Sequence, residues 1–268
     1  MLVTGGTSGI GQAAVAQLAR AGAHVIAQGR DAEKGRRVVD ELRNEGEVEL
    51  ATADLSSLAS VRELAAKVGA VDVLILNAAM SAWGTERGET VDGFERVFGT
   101  NYLAHFLVAR LLVERMPRGG RIVAVGAQQM GSAHFDWDDL QLARGWTPLR
   151  ATTQAKLAMF CMTRAFAQRF APRGITANIV DPGLVMTPYQ TNASWLLRLA
   201  VRMAGKPPEK VAETYAWLAL DPSVSDVTGK AFRYKKEIRI KGAALDDAIV
   251  QRLYSVSEQL VKLVPAAA

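Results

Sequence analysis

The residues with types and spacing suited to chemistry stand at the start of the chain. Thr4-Gly5-Gly6-Thr7-Ser8-Gly9-Ile10-Gly11 follows an apolar stub, Met1-Leu2-Val3, and opens into the helix-forming run Gln12-Ala13-Ala14-Val15-Ala16-Gln17-Leu18-Ala19. Gly5, Gly9 and Gly11 let the backbone turn sharply and approach a ligand closely. The helix start then offers unpaired N–H groups and the positive end of its dipole, an arrangement that holds a pyrophosphate. The strand Ala23-His24-Val25-Ile26-Ala27 completes a β-α-β unit, so the loop reads as a dinucleotide cradle rather than a plain glycine turn. Gly29 stands where a carboxylate would pair with a ribose 2′-hydroxyl, and Arg30 follows it. A carboxylate repels a 2′-phosphate, whereas an arginine pairs with it through two hydrogen bonds, so NADP(H) is favoured over NAD(H).

The elements that must position this loop alternate between strand and helix. Because the first strand has only Met1-Leu2-Val3, the natural start is expected upstream. A charged helix is expected over Asp31 to Asn44 and a third strand over Val48 to Thr52. The strand ends near Asp54-Leu55, placed for an adenine edge; Asp54 also suits a cap for a helix over Ser56 to Val68. Val71 to Leu76 reads as a buried parallel strand running into Asn77-Ala78-Ala79, small enough to pass close to a nicotinamide-side ribose. Phe94 to Met116 carries two helical segments around Asn101, in which Tyr102 and His105 are expected to pack rather than react. Gly126-Ala127 ends a fifth strand, Arg121 to Val125, at the sheet edge where open α/β folds keep their ligands.

An acidic connection, His134 to Leu140, precedes a long helix from Thr152 to Phe170 and a sixth strand, Ile175 to Val180, ended by Asp181-Pro182-Gly183. Leu184 to Pro208 forms an insert. Its Ser194 to Ala204 stretch suits an amphipathic helix, with Trp195 and Leu199 inward and Arg198 and Arg202 outward. It reads as cover for the core, a lid over an apolar substrate or a surface for lipid contact. A helix over Glu209 to Leu220, a last strand over Thr228 to Tyr234 and a helix over Asp246 to Leu263 complete the chain.

A chain of 268 residues, 49% apolar, can bury one large core, so a single α/β domain over 1–268 is expected. Cys161 is the sole cysteine, which excludes an internal disulfide and makes the cytoplasm the default compartment. No apolar run approaches the roughly 20 residues that span a bilayer. The net charge of +5 is spread among 27 acids, without the basic stripe that nucleic acid requires. The three His residues lack a metal-ligand spacing, so no metal site is expected.

Over its full length the chain resembles the short-chain dehydrogenases/reductases, and within them the retinol-dehydrogenase-like branch. The likeness rests on Thr4 to Gly11, Asp54-Leu55, Asn77-Ala78-Ala79, Asn101 to Leu107, Asp138-Asp139-Leu140, Lys156-Leu157-Ala158, Asp181 to Thr187 and Thr228-Gly229-Lys230. It implies a Rossmann-type, doubly wound, seven-stranded parallel sheet in the order 3-2-1-4-5-6-7. It also implies cofactor contacts at Gly5, Thr7, Ser8, Gly9, Ile10, Gly11, Arg30, Asp54, Leu55, Asn77, Ala78, Lys156, Pro182, Gly183 and Thr187. The helices Asn101 to Met116 and Thr152 to Phe170 are those the family pairs across a homodimer.

The family's chemistry, carbonyl reduction or alcohol oxidation, uses an Asn, a Ser, a Tyr and a Lys. Asn101 and Lys156 match. Four residues before Lys156, where the Tyr belongs, stands Thr152, and the usual Ser-Ser pair is Gly126-Ala127, with Ala127 in place of the catalytic Ser. A phenol beside a lysine cation can be tuned towards neutrality; an aliphatic hydroxyl cannot. Loss of a general acid costs ~10² to 10⁴ in rate and loss of an oxyanion donor ~10² to 10³. Tyr102, Trp146, Tyr189 and His134 border the implied pocket but lack the motif spacing of an acid. Two functions are therefore in view: an oxidoreductase acting by hydride transfer to an apolar small molecule without a tyrosine acid, or an inactive or non-redox NADP(H)-binding relative, as regulator, cyclase or isomerase.

Overall fold

The computed structural model describes residues 1–127, 134–186 and 205–263. Its first unit is β1 (Leu2–Val3), α1 (Gly9–Arg20) and β2 (Val25–Gly29), followed by α2 (Ala32–Glu41), β3 (Val48–Thr52), α3 (Leu58–Val68) and β4 (Val73–Leu76). A short helical turn α4 (Arg96–Phe98), a π-helical turn (Gly99–Leu103) and α5 (Ala104–Val113) then run on without a break. The rest is β5 (Arg121–Val125), α6 (Pro148–Phe170), β6 (Thr176–Val180), α7 (Pro208–Leu220), β7 (Ala231–Arg233), β8 (Lys236–Ile238) and α8 (Asp247–Leu260).

The strands form one sheet in the order β3-β2-β1-β4-β5-β6-β7-β8. Every pairing is parallel except β7 with β8. The seven-stranded expectation thus gains an antiparallel edge strand. The hairpin that adds it turns on Tyr234 and Lys235, both left-handed at φ +51° and +62°, the conformation a tight two-residue hairpin demands. Tyr234 Oη donates to the Pro182 carbonyl at 3.2 Å and the Lys235 N–H to Thr214 Oγ1 at 3.2 Å, contacts that hold this strained turn.

Successive strand residues point to opposite faces, and both faces are covered. Leu2, Leu74, Leu76, Ile122 and Ala124 join α3, α5, α6 and α8 in one apolar layer, where Phe106, Phe166 and Tyr254 stack edge to face. Val3, Val73, Ile75, Val123 and Val180 face α1 and α7 in the other. This explains why β4 is wholly apolar. Each of its buried aliphatic side chains contributes about 1.5–3 kcal/mol relative to exposure.

Element ends differ from the sequence reading for identifiable reasons. Asp31 accepts from the N–H groups of Glu33 and Lys34, so α2 starts at Ala32. Asp54 does not cap α3; Ser57 does, accepting from Ser60 N, while Asp54 accepts from Ser56 N and Ser56 Oγ. Thr147 caps α6 with Pro148 at its first position, one turn earlier than Thr152. Gly229, at φ +71°, forms a turn that delays β7 to Ala231, and Asp246 caps α8 instead of opening it. The amphipathic helix expected over Ser194 to Ala204 lies outside the described residues, as do Trp195, Arg198, Leu199 and Arg202.

Candidate active site

The cradle forms because its backbone admits only glycine at key points. Gly5 and Gly9 have φ of +65° and +52°, and a Cβ on Gly11 would lie 2.1 Å from the Gly5 carbonyl oxygen. α1 begins at Gly9. Its N-cap, Ser8, makes no side-chain capping bond, which leaves that hydroxyl and the first-turn N–H groups for a ligand beside Ile10. Gln28, 2% exposed, closes the back of the loop: its Oε1 accepts from Gly5 N at 3.0 Å and its Nε2 donates to the Ala53 carbonyl at 2.8 Å. Thr7 is buried against Gly29, where a Cβ would come within 2.6 Å of Thr7 Oγ1. No carboxylate fits at position 29 while Thr7 stays in place. Arg30 beside it is exposed, and among the described residues it has no hydrogen bond or ion pair. Asp54 and buried Leu55 follow β3, next to β2 in the sheet.

A second set of groups is organised by the hydroxyl of Thr4. Its Oγ1 accepts from Asn77 N at 2.8 Å and Ala78 N at 3.1 Å, and lies 3.0 Å from His105 Nε2. His105 Nδ1 lies 3.0 Å from the Asn101 carbonyl. A carbonyl can only accept, so Nδ1 carries the proton and Nε2 accepts from Thr4. Asn101, inside the π turn, clamps the Met80 backbone with both ends of its amide, accepting from N at 2.8 Å and donating to O at 2.9 Å. Such π turns recur at functional sites because the extra residue redirects a side chain. Asn77 Oδ1 accepts from Tyr215 Oη of α7 at 3.2 Å.

The third set lies on α6 and the ends of β5, β6 and β7. Thr152 and Lys156 are one turn apart, and each is 9% exposed. Thr152 Oγ1 is buried with no hydrogen-bond partner. Burial pushes the Lys156 pKa down to about 8, against an opposing pull from Asp181. Asp181 is 3% exposed; its Oδ1 accepts from Gly183 N at 2.8 Å, behind Pro182, and its Oδ2 from Arg233 Nη2 at 2.6 Å. Gly126 has no room for a side chain, since Ile179 and Phe160 would lie 2.8 Å from its Cβ, whereas Ala127 is half-buried.

The other acid candidates are committed elsewhere or lie outside view. Tyr102 is fully buried and donates to Ser257 Oγ at 2.6 Å, because the serine proton goes to the Leu253 carbonyl. Trp146 Nε1 donates to Glu95 Oε1 at 3.0 Å. His134 is exposed. Tyr189 and the cofactor candidate Thr187 lie outside the described residues. Tyr215 sits on the α1 side of the sheet, opposite α6, so its phenol cannot serve as acid.

Three positioning residues escaped the sequence reading: Gln28, Tyr215 and Arg233. Gln28 had a visible signal, a polar residue ending an apolar strand. The other two had none, since their partners are 138 and 52 residues away. Among the described residues no group of three or more His, Cys, Asp or Glu could hold a metal. No helix among them is long and apolar enough to cross a membrane.

Known proteins share the sequence pattern and the fold. A protein-family model described as Enoyl-(Acyl carrier protein) reductase matches residues 5–234. The chain is 34% identical to the polyprenol dehydrogenase of Homo sapiens over 275 residues, covering 96% of this chain and 83% of that protein. It is 33% identical to retinol dehydrogenase 13 of Homo sapiens, covering 98% and 84%. A solved structure described as the Pseudomonas aeruginosa RhlG/NADP active-site complex superposes with a TM-score of 0.71 at 26% identity, over 91% of this chain and 94% of that one.

The buried histidine makes a pH prediction. Burial pushes the His105 pKa down to about 4 from an ordinary 6.5, with Lys156 adding to the effect. Between these values the unfolded chain binds the extra proton. This contribution is therefore complete above about pH 6.5 and is lost as pH falls towards 4, by on the order of 3 kcal/mol. Urea denaturation should show this loss between pH 7 and 4.5, about, and a shallower one in His105→Gln. Equal slopes in the two proteins would contradict it.

Proposed function

This chain belongs to the short-chain dehydrogenase/reductase family of oxidoreductases, and from that premise we propose that it is an NADP(H)-dependent reductase of a small apolar acceptor that works without a tyrosine acid. The observation that carries this reading is the pairing of a complete cradle with a buried, unpartnered Thr152 hydroxyl one turn before Lys156. Thr7, Ser8 and the first-turn N–H groups of α1 would hold the pyrophosphate, Arg30 the 2′-phosphate, Asp54 the adenine edge, and Asn77, Ala78 and Lys156 the ribose nearer the nicotinamide. When bound, the reduced cofactor supplies a hydride. The residues fit such a group because closed space at Gly29 and the free guanidinium of Arg30 both favour a phosphate over a ribose hydroxyl there.

The protein's own part is to position and to exclude water. Asn101 fixes the Met80 backbone, and Gly126-Ala127 offers the acceptor a wall without a hydroxyl. With neither Ser nor Tyr to stabilise a developing alkoxide, the site suits acceptors that spread the charge themselves: an activated alkene, an iminium or a quinone-like ring. The relatives named for polyprenol and retinol act on long apolar molecules, which supports an apolar acceptor here. We place the protein in the cytoplasm, with peripheral membrane contact open to it and no role in nucleic-acid binding. Pairing of two copies through α5 and α6 would have to form around α8, whose Tyr254 already covers Phe106 and Phe166. The absent hydroxyl at 127 and the absent phenol at 152 also favour a second reading, a non-redox NADP(H)-binding regulator, cyclase or isomerase.

Two measurements test the proposal. Fluorescence titration should show Arg30→Ala weakening NADPH far more than NADH; an unchanged ratio of affinities removes the NADP(H) argument. Simple ketones should react negligibly, well under about 1 s⁻¹. The double change Ala127→Ser plus Thr152→Tyr should raise that rate by far more than the two single changes combined, since both groups act on one oxygen. A double variant that binds NADPH and gains nothing favours the non-redox reading.

A further inference from the structure

His105 is a buried imidazole that hydride transfer leaves unused. It lies on α5 among Ala104, Phe106, Leu107 and Val108, all fully buried like itself. An imidazole is costly in such a core unless its ring nitrogens are bonded, and a leucine would pack there without that cost. Both nitrogens of His105 are bonded: Nε2 accepts from the Thr4 hydroxyl at 3.0 Å and Nδ1 donates to the Asn101 carbonyl at 3.0 Å. What the ring adds over a leucine is therefore a link between two segments far apart in sequence.

These bonds close a circuit. At residues 77–80 the chain leaves β4 as irregular backbone, outside any strand or helix, and such backbone opens readily unless something else holds it. Side chains do so here. At the start of the segment the N–H groups of Asn77 and Ala78 donate to Thr4 Oγ1, at 2.8 and 3.1 Å. At its end the Met80 N–H donates to Asn101 Oδ1 at 2.8 Å, and Asn101 Nδ2 donates to the Met80 carbonyl at 2.9 Å. His105 joins the two anchors, so the bonds run from Asn77 through Thr4, His105 and Asn101 back to the same segment. The glycine loop lies directly against it: a Cβ on Gly5 would come within 2.9 Å of Ala78 Cα, and one on Gly11 within 2.6 Å of Asn77 Nδ2. The Ile75 carbonyl is also in reach of the Thr4 proton, at 3.3 Å, but it already accepts the Thr4 N–H at 2.9 Å. The shorter bond to His105 sets which way the lone pairs of Thr4 face.

We propose that His105 is a positioning residue: by tying Thr4 to Asn101 it sets the shape of residues 77–80, and through them the seat of the cofactor's nicotinamide half. This rests on the NADP(H) reading above, in which Asn77 and Ala78 hold the ribose nearer the nicotinamide. The adenine half falls to Arg30 and Asp54. Among the described residues Arg30 has no side-chain bond, and the Asp54 carboxylate bonds only Ser56, so neither side chain belongs to the circuit. Affinity for the whole cofactor is then divided into a part that needs the imidazole and a part that does not. The ring exchanges no proton in this role. It supplies one donor and one acceptor in fixed places, the kind of supporting shell that keeps a binding group within a fraction of an ångström of its working position.

The test compares the unaltered protein with His105→Leu, which removes both bonds, and His105→Gln, whose amide offers the same pair of one donor and one acceptor. Each is titrated by calorimetry with NADPH and with adenosine 2′,5′-bisphosphate, a probe of the adenine half alone. Hydrogen exchange of the cofactor-free proteins is followed on peptides covering residues 77–80. His105→Leu should weaken NADPH by about tenfold or more while the bisphosphate stays within about twofold. Its peptides over residues 77–80 should exchange about tenfold faster, and His105→Gln should recover most of both losses. Where the leucine protein does not fold, His105→Asn breaks the circuit while keeping a polar group in the core: its shorter side chain reaches the Asn101 carbonyl but not Thr4, and it should give the same split. Tight NADPH binding that His105→Leu leaves unchanged, with exchange also unchanged, overturns the proposal alone, because Ile75 has then taken the Thr4 proton and His105 merely packs. Equal losses for NADPH and the bisphosphate, not recovered by glutamine, also overturn it, as general damage to the core. Failure of the unaltered protein to bind NADPH, with exchange faster in His105→Leu, removes the cofactor reading and the seat with it.

Discussion

The hydroxyl of Thr4, fully buried at the end of β1, accepts the N–H groups of Asn77 and Ala78 at the end of β4 and donates to His105 on α5. Through His105 it reaches the carbonyl of Asn101, whose side chain holds Met80. One oxygen with two lone pairs and one proton therefore ties together the glycine loop, the floor of the implied ribose site and the π turn. The Ile75 carbonyl, 3.3 Å away, is a second acceptor within reach of its proton. Burial is what keeps the His105 imidazole neutral, and a charged ring would in addition bring a second proton to an oxygen whose lone pairs are already taken.

The sheet serves the same end. Because β1 and β4 are buried on both faces, their C-terminal ends have little freedom, and the groups carried there inherit that rigidity. The cradle adds local necessity: Gly11 cannot carry a side chain against the Gly5 carbonyl, and Gly29 cannot against Thr7. A scaffold built this strictly for a dinucleotide contrasts with the reaction side, where Ala127 lacks the hydroxyl, and Thr152 the phenol, that would polarise a simple carbonyl. The closely fitted binding half and the sparse donors of the other half suit an acceptor that needs less help.

The sequence made these strands legible, β4 and β5 through continuous apolar runs and β3 through an alternating one: β3 and β5 fall on the residues expected, and β4 within them. It misled at ends governed by a single side chain. Asp54 looked like a cap, but Ser57 is closer to the first free N–H groups, and Thr147 with Pro148 starts α6 a turn early. The β7–β8 hairpin was invisible because Tyr234-Lys235 is not a usual two-residue turn; its left-handed backbone is held by Pro182 and Thr214, distant in sequence. In the site, the glycine loop could be read because its spacing is local, and Asn101 and Lys156 because the family resemblance implied them. Tyr215 and Arg233 could not, since what makes them matter is a partner brought near only by the fold. His105 was read as packing, which its full burial supports, but its bond to Thr4 gives it a part in positioning that residue type alone does not reveal.

Everything above turns on hydride transfer in a site without a tyrosine acid. The most direct measurement supplies NADPH deuterated at the transferable position together with a panel of apolar enones and quinones, and follows the label by mass spectrometry. Deuterium is expected in the reduced product of at least one conjugated acceptor and in none from simple ketones. Tight NADPH binding with the deuterium retained entirely in the cofactor across the panel would contradict it.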